Sequence, residues 1–203
     1  ISHLFFNMFA VYMFGSPVEY AFGTKRFLTY YLVTGIGSGI VQEVALYFEI
    51  APFIEAVDNC MSNMSPDALA TFIQTYRPPS QEAMLLVHNF FAQAEGMTMT
   101  DAMPIAQQFL SDYQSAYIAS QVTVGASGAV FGILLAFGML YPNTRILVFF
   151  IIPLKAKYLV IIYGALELFQ GLGVQFQMDN VAHWAHLGGM LFGFLLLLKW
   201  RRE

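Results

Sequence analysis

The sequence predicts an all-α polytopic membrane protein: a bundle of apolar helices interrupted by one polar helical insertion. Three observations predict it. Of the 203 residues, 58% are hydrophobic and only 11% are charged, whereas soluble domains are nearer one quarter charged. The runs 27–48, 146–172 and 181–198 are long and apolar, carrying only Glu43 in the first, Lys155, Lys157 and Glu167 in the second, and no charge in the third. A spanning helix needs about 20 such residues. Between them, residues 49–120 break the pattern with polar, acidic sequence.

The elements follow in order. Five spans are expected at about 1–22, 26–48, 125–141, 147–171 and 181–200. The third is short for a full crossing. The fourth is interrupted by Pro153, Lys155 and Lys157, so its spanning part is expected to begin near Lys157. Three parts result: 1–48 with the first two spans, 49–120 as an insertion outside the bilayer, and 121–203 with the last three spans. Within the insertion, Ser65 followed by Pro66 marks a helix start, as does "PPSQEAMLL". A further helical periodicity runs from Met103 to Ile118. The chain begins with Ile1 rather than Met, and an upstream segment is expected. With Cys60 as the single cysteine, no intrachain disulfide can form.

Charge fixes an expected orientation. Lys25, Arg26, Arg145, Lys155, Lys157, Lys199, Arg201 and Arg202 sit in alternate connections or at the C-terminus. Positively charged loops are cytoplasmic, which places the C-terminus inside. The insertion carries Arg77 against Glu49, Glu55, Asp58, Asp67, Glu82, Glu95, Asp101 and Asp112, and falls outside. It is expected to pack over the outer face of the bundle, and its apolar Leu69, Phe72, Ile73, Leu85, Leu86, Phe90 and Phe91 need partners. A net charge of −4 gives no reason to expect a nucleic-acid partner.

Polar residues in the spans carry the chemistry. His3 and Asn7 are four apart, hence on one helix face. Ser127 opens the third span; His183 and His186 open the last. The orientation puts all of them toward the outer half of the membrane. Such residues are costly in lipid and face a bundle interior or a watery cavity. A serine, a histidine and an amide at one level fit acyl transfer: the histidine takes the serine proton, and amide and backbone N–H groups hold the oxyanion. Each part also has a bland reading. The pairs Gly128/Gly132, Gly35/Gly39 and Gly189/Gly193 are small-xxx-small patterns, which mostly mean close helix packing. "GASGA" is not a nucleophile elbow, since Ala129 stands where the second Gly belongs.

Taken together, "HLFFN" (His3 to Asn7), "FGSPVEYAFGTKRF", "GASGAVFG" and "AHLGGMLFG" resemble the rhomboid family of intramembrane serine proteases. The resemblance implies a rhomboid-like helical bundle, with five of the usual six spans present and the first absent from this chain. It implies an endopeptidase that cleaves transmembrane segments of membrane proteins within a lipid bilayer. Ser127 would be the nucleophile and His186 the base. His3 and Asn7 would join the Ser127 N–H in binding the oxyanion. Gly125, Gly128, Phe131 and His183 would line the site, and Phe131 stands where a stacking tyrosine is found in several members. No cofactor and no metal are expected. A Ser-His dyad without a carboxylate is expected, since Glu43 and Glu167 have no motif reason to touch His186. Asp179 lies seven residues upstream, about 10 Å along a continuous helix. The insertion is longer than the usual loop before the serine helix. The expected location is a bacterial inner (plasma) membrane. The rivals are a catalytically dead relative that binds membrane proteins, and a transporter using Glu43 and Glu167 as an ion path.

Overall fold

The computed structural model of the chain describes residues 2–121, 126–148, 151–172 and 182–201, with the side chains of Ser2, His3 and Met99 outside that description. The N-terminal run is helical throughout: α1 (Ser2–Ala10), a π-helical turn (Val11–Gly15) and α2 (Ser16–Phe22). Gly23, at φ 76°, ends it, a left-handed conformation that a side chain would resist. The chain restarts at once as α3 (Thr24–Ser62).

α3 runs past the expected end at residue 48, through Pro52, for 39 residues. A proline inside a helix removes a hydrogen bond and should break it. Here the helix continues because Phe53, Val57 and Cys60 beyond the proline are buried in an apolar core. Three helices complete that core: α4 (Pro66–Thr75), α5 (Gln81–Ala94) and α6 (Met99–Ser120). Ser65 caps α4 by accepting from the Ala68 N–H, and Ser80 caps α5 by accepting from the Ala83 N–H. α6 begins one turn before the expected Met103, with Thr98 as its cap. Residues 46–122 form one packed unit and residues 1–45 with 123–203 another. Of the apolar positions singled out in the insertion, Leu69, Phe72 and Phe90 are buried in its own core, with Ile73 and Leu86 against it, while Leu85 and Phe91 stay exposed.

The other unit adds α7 (Ala126–Leu140), a hairpin of β1 (Arg145–Val148) and β2 (Ile152–Lys155), then α8 (Ala156–Gly171) and α9 (His183–Trp200). The hairpin pairs antiparallel with Arg145 opposite Lys155 and Leu147 opposite Pro153. It takes the start of the stretch read as a fourth span. A short apolar run cannot be assigned to helix or strand by periodicity alone, and a two-stranded ribbon tolerates the proline's missing N–H at its edge.

Glycines set how closely α3, α7 and α9 approach. A Cβ on Gly189 would strike the carbonyl oxygen of Gly128, one on Gly128 would strike Ser38, and one on Gly132 would meet Thr34 at 2.8 Å. The Gly35/Gly39 pair behaves differently, since nothing lies within 4 Å of a Cβ at Gly39; on that helix Gly37 makes the close contact, against Phe192. Tyr30, fully buried, donates to the Gly132 carbonyl at 2.8 Å.

α3 is inverted relative to a helix in water. Its buried face carries Tyr30, Thr34, Ser38 and Gln42, while Leu28, Leu32, Ile36, Ile40 and Val44 are exposed. Among the described residues, however, no helix is long and apolar enough to cross a membrane by itself. α7 has only 15 residues, about 22 Å of helix against a hydrocarbon core of about 30 Å. Both histidines and Lys199 lie within the 18 residues of α9.

Candidate active site

The site lies at the N-terminal ends of α7 and α9. Ser127 is the second residue of α7, so its N–H belongs to the first turn, which has no intrahelical acceptor. His186 lies in the first turn of α9. The interlocked Gly128 and Gly189 allow these turns to touch, and Ser127 Oγ stands 2.9 Å from His186 Nε2. Both residues are buried, at 4% and 6% exposure. The Phe131 ring stacks on the imidazole, with centroids 4.0 Å apart and planes 9° from parallel. Ring and serine thus hold the imidazole from two directions, by contact on its face and by a hydrogen bond at Nε2.

Two residues of the site were not anticipated. The first is Glu167 of α8, whose Oε2 lies 2.9 Å from His186 Nδ1 and 2.7 Å from His183 Nδ1. The expectation of a histidine with no carboxylate beside it is therefore corrected. A helix that is apolar nearly all round gives little sign of which face turns inward, and α8 turns Glu167 toward α9. The approach to His186 is close but off the hydrogen-bond direction, so that Nδ1 is buried without an aligned partner among the described residues. The second is Gln42 of α3, whose Oε1 accepts from the Ala185 N–H at 3.0 Å. It anchors the turn of α9 that carries His186. An amide in an apolar run was the available signal. Glu43 beside it is exposed.

The other expected residues are placed as follows. His3 and Asn7 are in α1, which packs against α7; Asn7 is half-buried and engaged with a partner, and the His3 side chain lies outside the described residues. Gly125 and Asp179 also lie outside them. Gly128 lies directly behind the serine, and His183 is half-buried one turn before His186. Glu167, His183 and His186 form a group of metal-ligating type, with one ligand atom from each within 4.8 Å of the others.

Chemically, the arrangement offers a hydroxyl hydrogen-bonded to an imidazole, the backbone N–H groups of a helix's first turn beside it, and a carboxylate behind the ring. Comparison with known proteins gives the same direction. A family model for the Rhomboid domain matches residues 1–49 and 89–203. An uncharacterised mitochondrial rhomboid protein of Schizosaccharomyces pombe is 28% identical over 211 aligned residues, covering 100% of this chain and 49% of that protein. The chain thus spans about half the length of the curated relative it matches. No solved structure matches. Family membership points to a membrane location and to one of two roles, an intramembrane protease or an inactive rhomboid-like protein. With the match to the Rhomboid domain covering both ends of the chain and every element around Ser127 and His186, the protein belongs to the rhomboid family.

Proposed function

We propose that the protein is an intramembrane serine endopeptidase that cleaves transmembrane segments of membrane proteins. The observation that carries this reading is the buried 2.9 Å contact between Ser127 Oγ and His186 Nε2. A scaffolding relative has no need of a hydroxyl held on an imidazole and shielded from water.

In the mechanism, His186 Nε2 accepts the Ser127 proton as Oγ attacks the substrate carbonyl carbon. The oxyanion is held by the Ser127 N–H at the positive end of α7, with His3 and Asn7 of α1 as the further donors. His186 then hands the proton to the leaving amine, and the peptide bond breaks to leave an acyl-serine. Water, deprotonated by the same nitrogen, releases the second product and restores the serine. Glu167 stabilises the imidazolium that exists between these transfers and orients the ring.

The bilayer is the surrounding medium in this reading, supported by the outward Leu28, Leu32, Ile36, Ile40 and Val44 on α3 and by exposed Ile161, Phe169, Leu191 and Leu195 on α8 and α9. Apolar faces of that extent are unfavourable in water. The mitochondrial relative favours a mitochondrial membrane over the bacterial inner membrane expected from sequence. The insertion of residues 46–122 is a separately cored module.

The test is cleavage of a transmembrane substrate panel, and labelling by a fluorophosphonate, with the full-length protein in proteoliposomes. Wild type should cleave and label, and Ser127→Ala should do neither while keeping its melting temperature. Substantial turnover by Ser127→Ala removes the serine from the mechanism. A wild type that neither cleaves nor labels assigns the chain to the inactive branch of the family.

A further inference from the structure

We infer that Glu167, His183 and His186 form an inhibitory site for a divalent transition-metal ion of the zinc type, which switches off the proposed hydrolysis by capturing the base. The inference rests on the reading of His186 as that base. Two imidazoles and one carboxylate are a ligand set that zinc accepts in its three-protein-ligand sites, with a fourth position left open. The three side chains come from two neighbouring helices. His183 and His186, three residues apart, share a face of α9, and Glu167 projects from α8. The candidate ligand atoms all lie within 4.8 Å of one another. Tetrahedral zinc at bonds of about 2.0–2.2 Å would separate them by about 3.4 Å, so Glu167 Oε2 needs to retreat about 0.5 Å from His186 Nδ1 and about 0.7 Å from His183 Nδ1.

The independent observation is the state of His186 Nδ1. It is buried, 2.9 Å from a carboxylate oxygen, and yet without an aligned hydrogen-bond partner among the described residues. Buried polar atoms are nearly always paired. An ion seated between Glu167 and the two rings would satisfy it directly, and the metal's charge would be half neutralised by the carboxylate.

The consequence for the base follows from counting protons. A neutral imidazole carries one N–H. In the active tautomer that hydrogen is on Nδ1, facing Glu167, and the lone pair on Nε2 accepts from Ser127. When a metal takes the Nδ1 lone pair, the hydrogen must reside on Nε2. Nε2 then donates to Ser127 Oγ and cannot take its proton. No bond to substrate is involved and no proton is lost from the ring, so removal of the metal restores the base.

The experiment uses full-length protein in detergent, with Zn²⁺ and Co²⁺ as probes. Ser127→Ala keeps all three ligands and should bind one Zn²⁺ per chain as tightly as wild type. Its Co²⁺ form should show the visible absorption of a tetrahedral site. Glu167→Gln and His183→Gln should bind Zn²⁺ at least about tenfold more weakly, and Zn²⁺ should suppress wild-type hydrolysis with full recovery on chelation. An active wild type that binds no Zn²⁺, or binds it without losing hydrolysis, overturns the inference and leaves the proposed function standing. So does equal binding by the two ligand variants. If either variant fails to fold, the Co²⁺ spectrum of Ser127→Ala decides: a tetrahedral band supports the site and its absence overturns it. Zn²⁺ bound by Ser127→Ala with that band, in a protein whose wild type never cleaves, upholds the metal site and removes the protease reading instead.

Discussion

Replacing Glu167 by glutamine keeps the size of the side chain and removes its charge. The carboxylate lies 2.9 Å from His186 Nδ1, which puts the two charge centres about 4 Å apart once the imidazolium forms. At an effective dielectric constant of about 20, that pair is worth about 4 kcal/mol. The off-axis approach and the sharing of the carboxylate with His183 reduce the usable part, to about 2 kcal/mol at the lower end. At 1.36 kcal/mol per decade, Glu167→Gln should lower kcat by about 30- to 1000-fold. Glu167→Asp keeps the charge at greater distance and should fall between. The assay is steady-state cleavage of a fluorogenic transmembrane substrate in proteoliposomes after chelation of metals, alongside thermal melting to show an intact fold. A Glu167→Gln variant that folds and keeps kcat within threefold of wild type would refute the role given to the carboxylate.

Other outcomes follow from packing. Gly189→Ala pushes a methyl into the Gly128 carbonyl, a backbone atom that cannot swing aside, and should cost about 3 kcal/mol. Gly39→Ala meets nothing within 4 Å and should be neutral or stabilising by up to about 1 kcal/mol; equal melting temperatures for the two variants would contradict the packing described. Phe131→Ala removes the ring stacked on His186 and with it about 0.5–1.5 kcal/mol, a loss of about two- to tenfold in kcat/KM, whereas Phe131→Tyr should stay within threefold. Gln42→Leu takes the side-chain acceptor from the Ala185 N–H, which keeps only the Ala182 carbonyl at 3.0 Å, and should destabilise the protein by about 1 kcal/mol, read as a lower melting temperature.

What the sequence made legible depended on how local the signal was. Ser65 and Ser80 could be read as helix caps because capping is decided within four residues. The approach of Ser127 to His186 was legible because each sits in a short glycine-flanked motif at the start of an apolar run. Gly128 and Gly189 let those two helix starts meet. Glu167 was visible as an acid in an apolar helix but not as a neighbour of His186, since helix rotation is set by tertiary packing. The same holds for Gln42, whose partner is 143 positions away. The end of α3 was misplaced because the apolar run gives way to polar, acidic sequence at Glu49, a signal overruled by the burial of Phe53 and Val57 further along the same helix. The hairpin before α8 was missed because its residues are as apolar as a helix of equal length. The five spans rested on hydropathy summed along runs, and the helices that form do not keep to those runs: α3 extends past its run into the insertion, and α8 begins only after the hairpin.

Gln42 also bears on the order in which the bundle can be made. Thr34 and Ser38 donate their hydroxyl hydrogens to carbonyls of their own helix, at Tyr30 and Gly35, so α3 can enter an apolar medium with those groups already satisfied. The Gln42 amide oxygen has no such local acceptance; it receives the N–H of Ala185 in α9, 143 positions further along the chain. Until α9 is in place, the Gln42 oxygen lacks this partner. The same helix that relieves it also delivers His186. The pairing of Ser127 with His186 and the satisfaction of Gln42 therefore depend on one event, the docking of α9, and a chain cut short before α9 loses both together.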